Sequence, residues 1–286
     1  MEKVKGKNVV VIILNYINYF ETIECVESVL NQNYTNYNIL IVDNGSNNNS
    51  FSYLFKQYKN NAKVTVIRSR KNYGFAKGNN IGICYAKKKF NVDYVMLLNS
   101  DTIVDDREYL SKMVGADKEG IGVIGSKIIN SDNKEVYWNQ YVTFPATLLY
   151  YLMLIAICGE HPLYQVLFKT ILTKCKSTNI IEGSALMLTP TYFQYYDYLD
   201  SRTFLYCEEE LLYLRCKKKM MKMLLNNNAC VYHKYGRSSR ELHDNNKKGF
   251  YSYLKSSYKF VVWESIKMIF SRPKFWGDDK VLISDI

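Results

Sequence analysis

The sequence predicts an α/β fold: a mostly parallel sheet with helices on both faces. Three observations carry this. Short apolar runs alternate with helix-length amphipathic stretches through the first hundred or so residues. The runs Val9–Leu14 and Ile39–Val42 are continuously apolar, as in strands buried on both faces. Each strand-to-helix connection is rich in Asn, Gly and Ser, the composition of turns.

The elements follow in order. Val9–Leu14 reads as the first strand. Phe20–Leu30 reads as a helix with Ile23, Val26, Val29 and Leu30 on one face. Asn38–Val42 is a second strand, and Ser50–Tyr58 a helix striped by Phe51, Leu54, Phe55 and Tyr58. Lys63–Ile67 is a third strand, Gly78–Lys88 a helix and Val92–Leu98 a fourth strand. The second half is less regular. Ile121–Ile129, Ile180–Leu188, the short Phe204–Tyr206 and Lys222–Tyr232 read as strands. Helices are expected from Glu208 to Lys219 and from Phe250 to Phe270. The Asn clusters at 47–49 and 226–228 read as loop material.

Phe144–Cys158 is nearly all apolar and, after a polar break, Leu163–Leu172 follows. Each is shorter than the ~20 residues of a spanning helix, so a buried or interfacial helix pair is expected.

At 286 residues with 48% hydrophobic content, the chain can bury a large core. A net charge of +11 favours anionic partners: nucleotide phosphates, nucleic acid or an anionic membrane face. The seven cysteines are odd in number, irregularly spaced and form no C-x-x-C. That argues against a disulfide framework or a structural zinc site. With no secretory pattern at the start, a cytoplasmic protein is expected, with peripheral contact at the inner membrane face as an extension of that reading.

The chemistry gathers where strands end, because ligands of open α/β sheets bind beyond the carboxyl ends of the strands. Val92–Leu98 stops at Asn99-Ser-Asp101. A carboxylate there can hold a divalent cation, and the cation a diphosphate; the plain alternative is a turn. Asp43 closes the second strand and could accept from a nucleobase N–H or open an Asx-turn. Asn72–Asn80 carries Gly74 and Gly78, which let backbone N–H groups approach phosphate. It is neither G-x-G-x-x-G nor a Walker A loop, so the dinucleotide and NTPase readings lack their fingerprint. Glu208-Glu-Glu210 opens a helix, either complementing its dipole or supplying a general base. His233 ends a strand beside Lys234 and is a candidate for diphosphate or metal contact, and Arg215 and Arg237 are candidates for phosphate pairing.

Taken in order, VVVIILNY, IVDNGS, NYGFAKGNNIGI, LLNSDT, EGSALMLT, FLYCEEELLYLR and VYHKYGRSS resemble the family 2 glycosyltransferases of bacterial surface-polysaccharide synthesis, nearest their rhamnosyltransferase-like subgroup. The resemblance runs from about Val9 to Ser239. It implies a GT-A fold with an acceptor-side elaboration and C-terminal helices. A GT-A domain over 1–240 would divide into a nucleotide-sugar half (1–115) and an acceptor half (116–240) holding the apolar insertion 144–172; residues 241–286 form a basic and aromatic helical extension.

It further implies inverting transfer from a UDP- or dTDP-linked sugar, rhamnose among the candidates, to a saccharide or lipid-linked saccharide hydroxyl. Asn15 and Asp43 would hold the nucleoside; Asn72, Gly74 and Asn79 would line the donor pocket. Asp101 would bind Mg or Mn, and His233 would complete the metal or diphosphate site. Glu209 falls at the position of the catalytic base. Three departures stand out. Asn99 replaces the first acid of D-x-D, Glu209 replaces the usual Asp, and Leu211 replaces the last acid of E-D-x-D. The base therefore stays open among Glu208, Glu209 and Glu210.

The basic and aromatic mixture from Lys247 to Trp276 suits an anionic membrane surface or a helix packed on the core. Two other readings compete. A nucleotidyltransferase would carry a Gly- and basic-rich loop after the first strand, where Asn15-Tyr-Ile-Asn stands. A nucleic-acid-binding protein would concentrate its basic residues, which here are spread along the chain, so no nucleic-acid partner is expected.

Overall fold

The structure is a computed structural model that describes residues 6–234, 247–270 and 282–284. Its first half alternates as expected: β1 (Val9–Asn15), α1 (Tyr19–Leu30), β2 (Tyr37–Asp43), α2 (Ser50–Tyr58), β3 (Val64–Arg68), α3 (Phe75–Lys89) and β4 (Tyr94–Asn99). There follow β5 (Thr102–Ile103), α4 (Tyr109–Gly115), β6 (Ile121–Ile129), β7 (Trp138–Gln140), α5 (Ala146–Cys158) and α6 (Pro162–Leu172). The chain continues through β8 (Thr178–Ile180), β9 (Ala185–Leu188), α7 (Pro190–Phe193), α8 (Glu208–Lys218), β10 (Lys222–His233), α9 (Lys247–Phe270) and β11 (Leu282–Ser284).

The main sheet runs β11-β10-β6-β9-β4-β1-β2-β3, with β5 pairing β10 off the path; β7 and β8 form a separate ribbon. β1 pairs in parallel with β2 and β4, β2 with β3, and β10 with β6 and β11. β9 enters antiparallel between β4 and β6.

β1 shows why its run is wholly apolar. Successive strand residues face opposite sides. Val10 and Ile12 pack with Ala76, Ile83 and Ala86 of α3. Val9, Val11 and Ile13 pack with Cys25, Val26 and Val29 of α1. Both faces are covered, and each such side chain contributes ~1.5–3 kcal/mol on burial. The core on the α3 side also takes in Leu154 of α5, Leu211 of α8 and Tyr258 of α9. Thr147 of α5 and Ser265 of α9 share a hydrogen bond of 2.7 Å beneath it.

Four local expectations are corrected. The third helix begins at Phe75, not Gly78. Gly78 lies inside the helix because a Cβ there would come within 2.7 Å of the Leu14 side chain; the glycine lets α3 approach β1. Ile180–Leu188 is not one strand. Ile180 pairs with Trp138 in the small ribbon, Ala185 pairs with Leu98 in the main sheet, and Glu182-Gly-Ser184 turns between them. Phe204–Tyr206 forms no strand, since Tyr206 and Cys207 take φ of 70° and 71° and break any extended run. Asn226 lies within β10 beside a register shift, its amide donating to the Lys112 carbonyl at 3.0 Å.

The apolar stretches form the α5–α6 helix pair. Among the described residues no helix is long and apolar enough to cross a membrane.

Candidate active site

The carboxyl ends of β1, β2 and β4 lie side by side. Asn15 and Asp43 are register partners, and both are fully buried. The Asn15 amide donates to Asp43 Oδ2 at 2.8 Å and its carbonyl oxygen accepts from Thr22 at 2.8 Å. Asp43 Oδ1 accepts the Ser46 N–H at 3.1 Å and has Arg68 Nε at 3.5 Å. The carboxylate is thus held at the sheet edge, and it accepts from an N–H three residues on, not two as an Asx-turn would.

The glycine loop is clasped by Asn44, a residue not singled out in the sequence. Its amide donates to Asn72 Oδ1 at 3.0 Å and to the Gly74 carbonyl at 3.1 Å, and its oxygen accepts the Tyr73 N–H at 3.1 Å. Asn72 Oδ1 also accepts the Gly74 N–H at 2.8 Å. Gly74 has φ +81°, and a Cβ there would overlap the Phe204 carbonyl, which instead accepts the Phe75 N–H at 2.9 Å. Gly74→Ala is therefore expected to cost more than ~1 kcal/mol, from the left-handed backbone and the clash together. Thermal melting checks this: a Tm lowered by several degrees is expected, and an unchanged Tm contradicts it. Asn79 is buried and donates to the Phe75 carbonyl of its own helix at 3.1 Å, so packing rather than the loop surface holds its amide.

Beyond β4 the chain turns at Ser100-Asp101 into β5, whose Thr102 pairs with His233 of β10. That short ladder brings two residues distant in sequence together: Asp101 Oδ1 lies 3.1 Å from His233 Nε2. The Asp101 carbonyl also accepts the Lys234 N–H at 3.0 Å. His233 Nδ1 faces Glu182 Oε1 at 3.4 Å. Burial opposes charge on this imidazole, but its hydrogen bonds to the Asp101 and Glu182 carboxylates outweigh it and push its pKa up to about 9. Asn99 N–H donates to the Ser184 carbonyl at 2.8 Å, tying the end of β4 to the same Glu182–Ser184 turn.

That turn also reaches α8. Gly183 N–H donates to Glu209 Oε1 at 3.1 Å, and a Cβ at Gly183 would collide with that carboxylate. The three glutamates of α8 diverge because successive helical residues point ~100° apart. Glu208 accepts from Thr203 Oγ1 at 2.8 Å. Glu209 faces the Glu182 turn and is partly exposed. Glu210 is buried, and its Oε2 has no hydrogen-bond partner among the described residues. Burial first, and Glu182 among its neighbours, raise the Glu209 pKa. Burial first, and Glu209 second, push Glu208 and Glu210 up to about 8.

These shifts bear on stability. Between the ordinary carboxylate pKa of 4.5 and about 8, the folded protein binds more protons than the unfolded chain. Their contribution is full below pH 4.5 and is lost as pH rises through about 8. Melting temperature should fall across that window, and Glu210→Gln should make the fall shallower. Parallel curves for variant and wild type would contradict this.

The structure thus joins Asp101, His233 and Glu209 through Glu182, the first residue of the EGSALMLT segment, which had no role assigned from the sequence. Asn99 adjoins them. Asn15, Asp43, Asn72 and Gly74 lie along the same sheet edge, with Asp43 two strands from the end of β4, about 10 Å at normal strand spacing. Arg237 lies outside the described residues. A cleft of about 1230 Å³ opens elsewhere, lined by Tyr73, Lys77, Tyr85, Tyr198, Arg215 and Lys267 among others, and includes neither Asp101 nor Glu209.

Asp101 and His233 fit a divalent cation as a pair. Asp101 Oδ1 and His233 Nε2 share a hydrogen bond of 3.1 Å, and a divalent cation held there would take the place of the imidazole proton between them. Among the described residues no group of three or more His, Cys, Asp or Glu could hold a metal. The other positions would fall to substrate oxygens and water, the usual arrangement for Mg beside phosphates.

The profile described as Glycosyl transferase family 2 matches residues 9–184. The chain belongs to this family. Two curated relatives are similar over part of their length. The glycosyltransferase GlyG of Streptococcus pneumoniae is 34% identical over 138 residues, covering 48% of this chain and 43% of the relative. The low-salt glycan biosynthesis hexosyltransferase Agl10 of Haloferax volcanii is 26% identical over 172 residues, covering 59% of this chain and 50% of the relative. The chain thus spans about half the length of these curated relatives. Among solved structures, the mannosyltransferase PcManGT of Pyrobaculum calidifontis, in complex with GDP-Man and Mn2+, superposes with a TM-score of 0.58 at 11% identity, covering 93% of this chain and 74% of that one. At that identity the likeness shows the fold, which is the GT-A fold expected from the resemblance. Family membership removes the support for the nucleotidyltransferase and nucleic-acid readings.

Proposed function

We propose that this member of the glycosyltransferase family moves a sugar from a nucleoside-diphosphate sugar to a hydroxyl of a saccharide or lipid-linked saccharide acceptor, with inversion. The observation that carries the reading is the unbroken line of contacts from Asp101 through His233 and Glu182 to Gly183 and Glu209. A carboxylate of raised pKa in line with a pair that would hold a diphosphate-bound cation supports the reading. The hexosyltransferase relative and the Mn2+-bound neighbour support the same class of reaction.

In this mechanism Asn15, Asp43 and the Asn44-clasped Asn72–Gly74 loop position the nucleoside end of the donor. Asp101 and His233 would hold Mg or Mn, which when bound neutralises charge building on the leaving diphosphate. Gly183 N–H fixes one oxygen of Glu209. Glu209 takes the proton as the acceptor oxygen bonds to the anomeric carbon and the bond from that carbon to the diphosphate breaks. A base with a pKa raised toward neutrality accepts a proton more readily than an ordinary carboxylate. Glu182 keeps the imidazole of His233 oriented, as outer carboxylates do for metal-ligating histidines.

A screen of UDP-, dTDP- and GDP-linked sugars, dTDP-rhamnose included, tests the reading through the nucleotide released by slow hydrolysis. One nucleotide released in excess, and only with Mg or Mn, is expected. Release of none with any donor would overturn it.

A further inference from the structure

Helix α6 presents the reverse of a normal helix surface. Its sequence is mostly apolar, broken by Gln165, Lys169 and Thr170, yet Leu172 is its only buried residue. Leu163, Val166 and Leu167, spaced three and four apart, form one stripe that is 85%, 66% and 51% exposed. Tyr164 flanks the stripe, its ring stacked on Phe168 at 6.4 Å. Contiguous apolar surface of this kind marks a surface that is covered in use.

We propose that this outward face of α6 docks onto an anionic lipid bilayer, lying in the interface without crossing it. Charge selects the occupant. Between Tyr141 and Ile181 the chain carries Lys169, Lys174 and Lys176 against a single acid, Glu160. Lys169, Lys174 and Lys176 are exposed beside the stripe. A second copy of the chain docking here about a two-fold axis would set lysine against lysine. A bilayer takes the same surface without conflict. The leucines and valine enter the acyl boundary, Tyr164 sits at the headgroup level, and the lysines reach lipid phosphates.

Pelleting of the full chain with vesicles tests this without reference to catalysis, so its outcome is independent of the transferase reading. Phosphatidylcholine vesicles are compared with vesicles that also contain phosphatidylglycerol. The wild type should pellet with the anionic vesicles and be partly released by salt. Combining Leu163→Glu, Val166→Glu and Leu167→Glu should cut the pelleted fraction at least ~tenfold. Combining Lys169→Glu, Lys174→Glu and Lys176→Glu should abolish the preference for anionic lipid. Serine replacements in the stripe repeat the test should the glutamate variant melt early. Wild type left in the supernatant, or stripe variants pelleting like wild type, would overturn the proposal. So would a wild-type dimer in sedimentation velocity that the stripe variants convert to monomer, because the face would then be covered by a second copy.

Discussion

Glu209→Gln is expected to lower kcat by about 10²–10⁴ while the donor KM stays within a few-fold of wild type. The amide keeps the size of the side chain and can still accept the Gly183 N–H that holds Glu209 Oε1 at 3.1 Å. It cannot take the proton of the attacking hydroxyl. The loss therefore falls on the chemical step and spares donor binding. Two neighbours serve as controls. Glu208 is anchored by Thr203, and Glu210 is buried, so neither shares the Glu182 turn. Their Gln variants should retain more activity than Glu209→Gln. The pH profile adds a second readout. Burial raises the Glu209 pKa, so wild-type kcat should climb with pH through a group titrating above 4.5, and Glu209→Gln should lose that limb. Steady-state kinetics across pH decide it. A variant with wild-type kcat, or one that keeps the limb, removes Glu209 from the role of base.

Asp101→Ala should remove metal-dependent donor binding. Asp101 supplies the one carboxylate of its motif, because Asn99 stands where a second acid would help. Little redundancy remains. His233 keeps its contact to Glu182, but a lone imidazole makes a poor site for an oxygen-preferring cation. Calorimetric titration of the nucleoside diphosphate with and without Mn should show at least ~10²-fold weaker binding in the variant, with the metal-free affinity unchanged. Equal enhancement by Mn in variant and wild type would place the cation elsewhere.

The contrast between what was legible in the sequence and what was not is physical. β1, β2 and β4 are buried on both faces, so their side chains alone mark them as strands, and their ends mark the site. Asp101 was visible because an apolar run stops there. Its partner His233 lies 132 positions away, and the β5–β10 pairing that unites them is too short for any pattern. Glu182 was hidden for the opposite reason. It sits in a turn between β8 and β9, strands of two different sheets, and the apolar residues on either side made the whole stretch read as one strand. Asn44 carries no local signal, because its role is to clasp a loop nearly thirty residues on. The insertion of β9 between β4 and β6 is a tertiary choice that periodicity does not encode. The family resemblance ranked Glu209 first among three adjacent glutamates. The helical rotation of α8 separates them by what each one touches.

The most direct measurement of the central claim is the configuration of the sugar first released. Time-resolved proton NMR of donor hydrolysis, with water standing in for the acceptor, reads the anomer before mutarotation. Attack opposite the diphosphate, with Glu209 taking the proton, predicts that the anomer of opposite configuration to the donor appears first. Initial release of the anomer with the donor's own configuration would contradict a single displacement at this site.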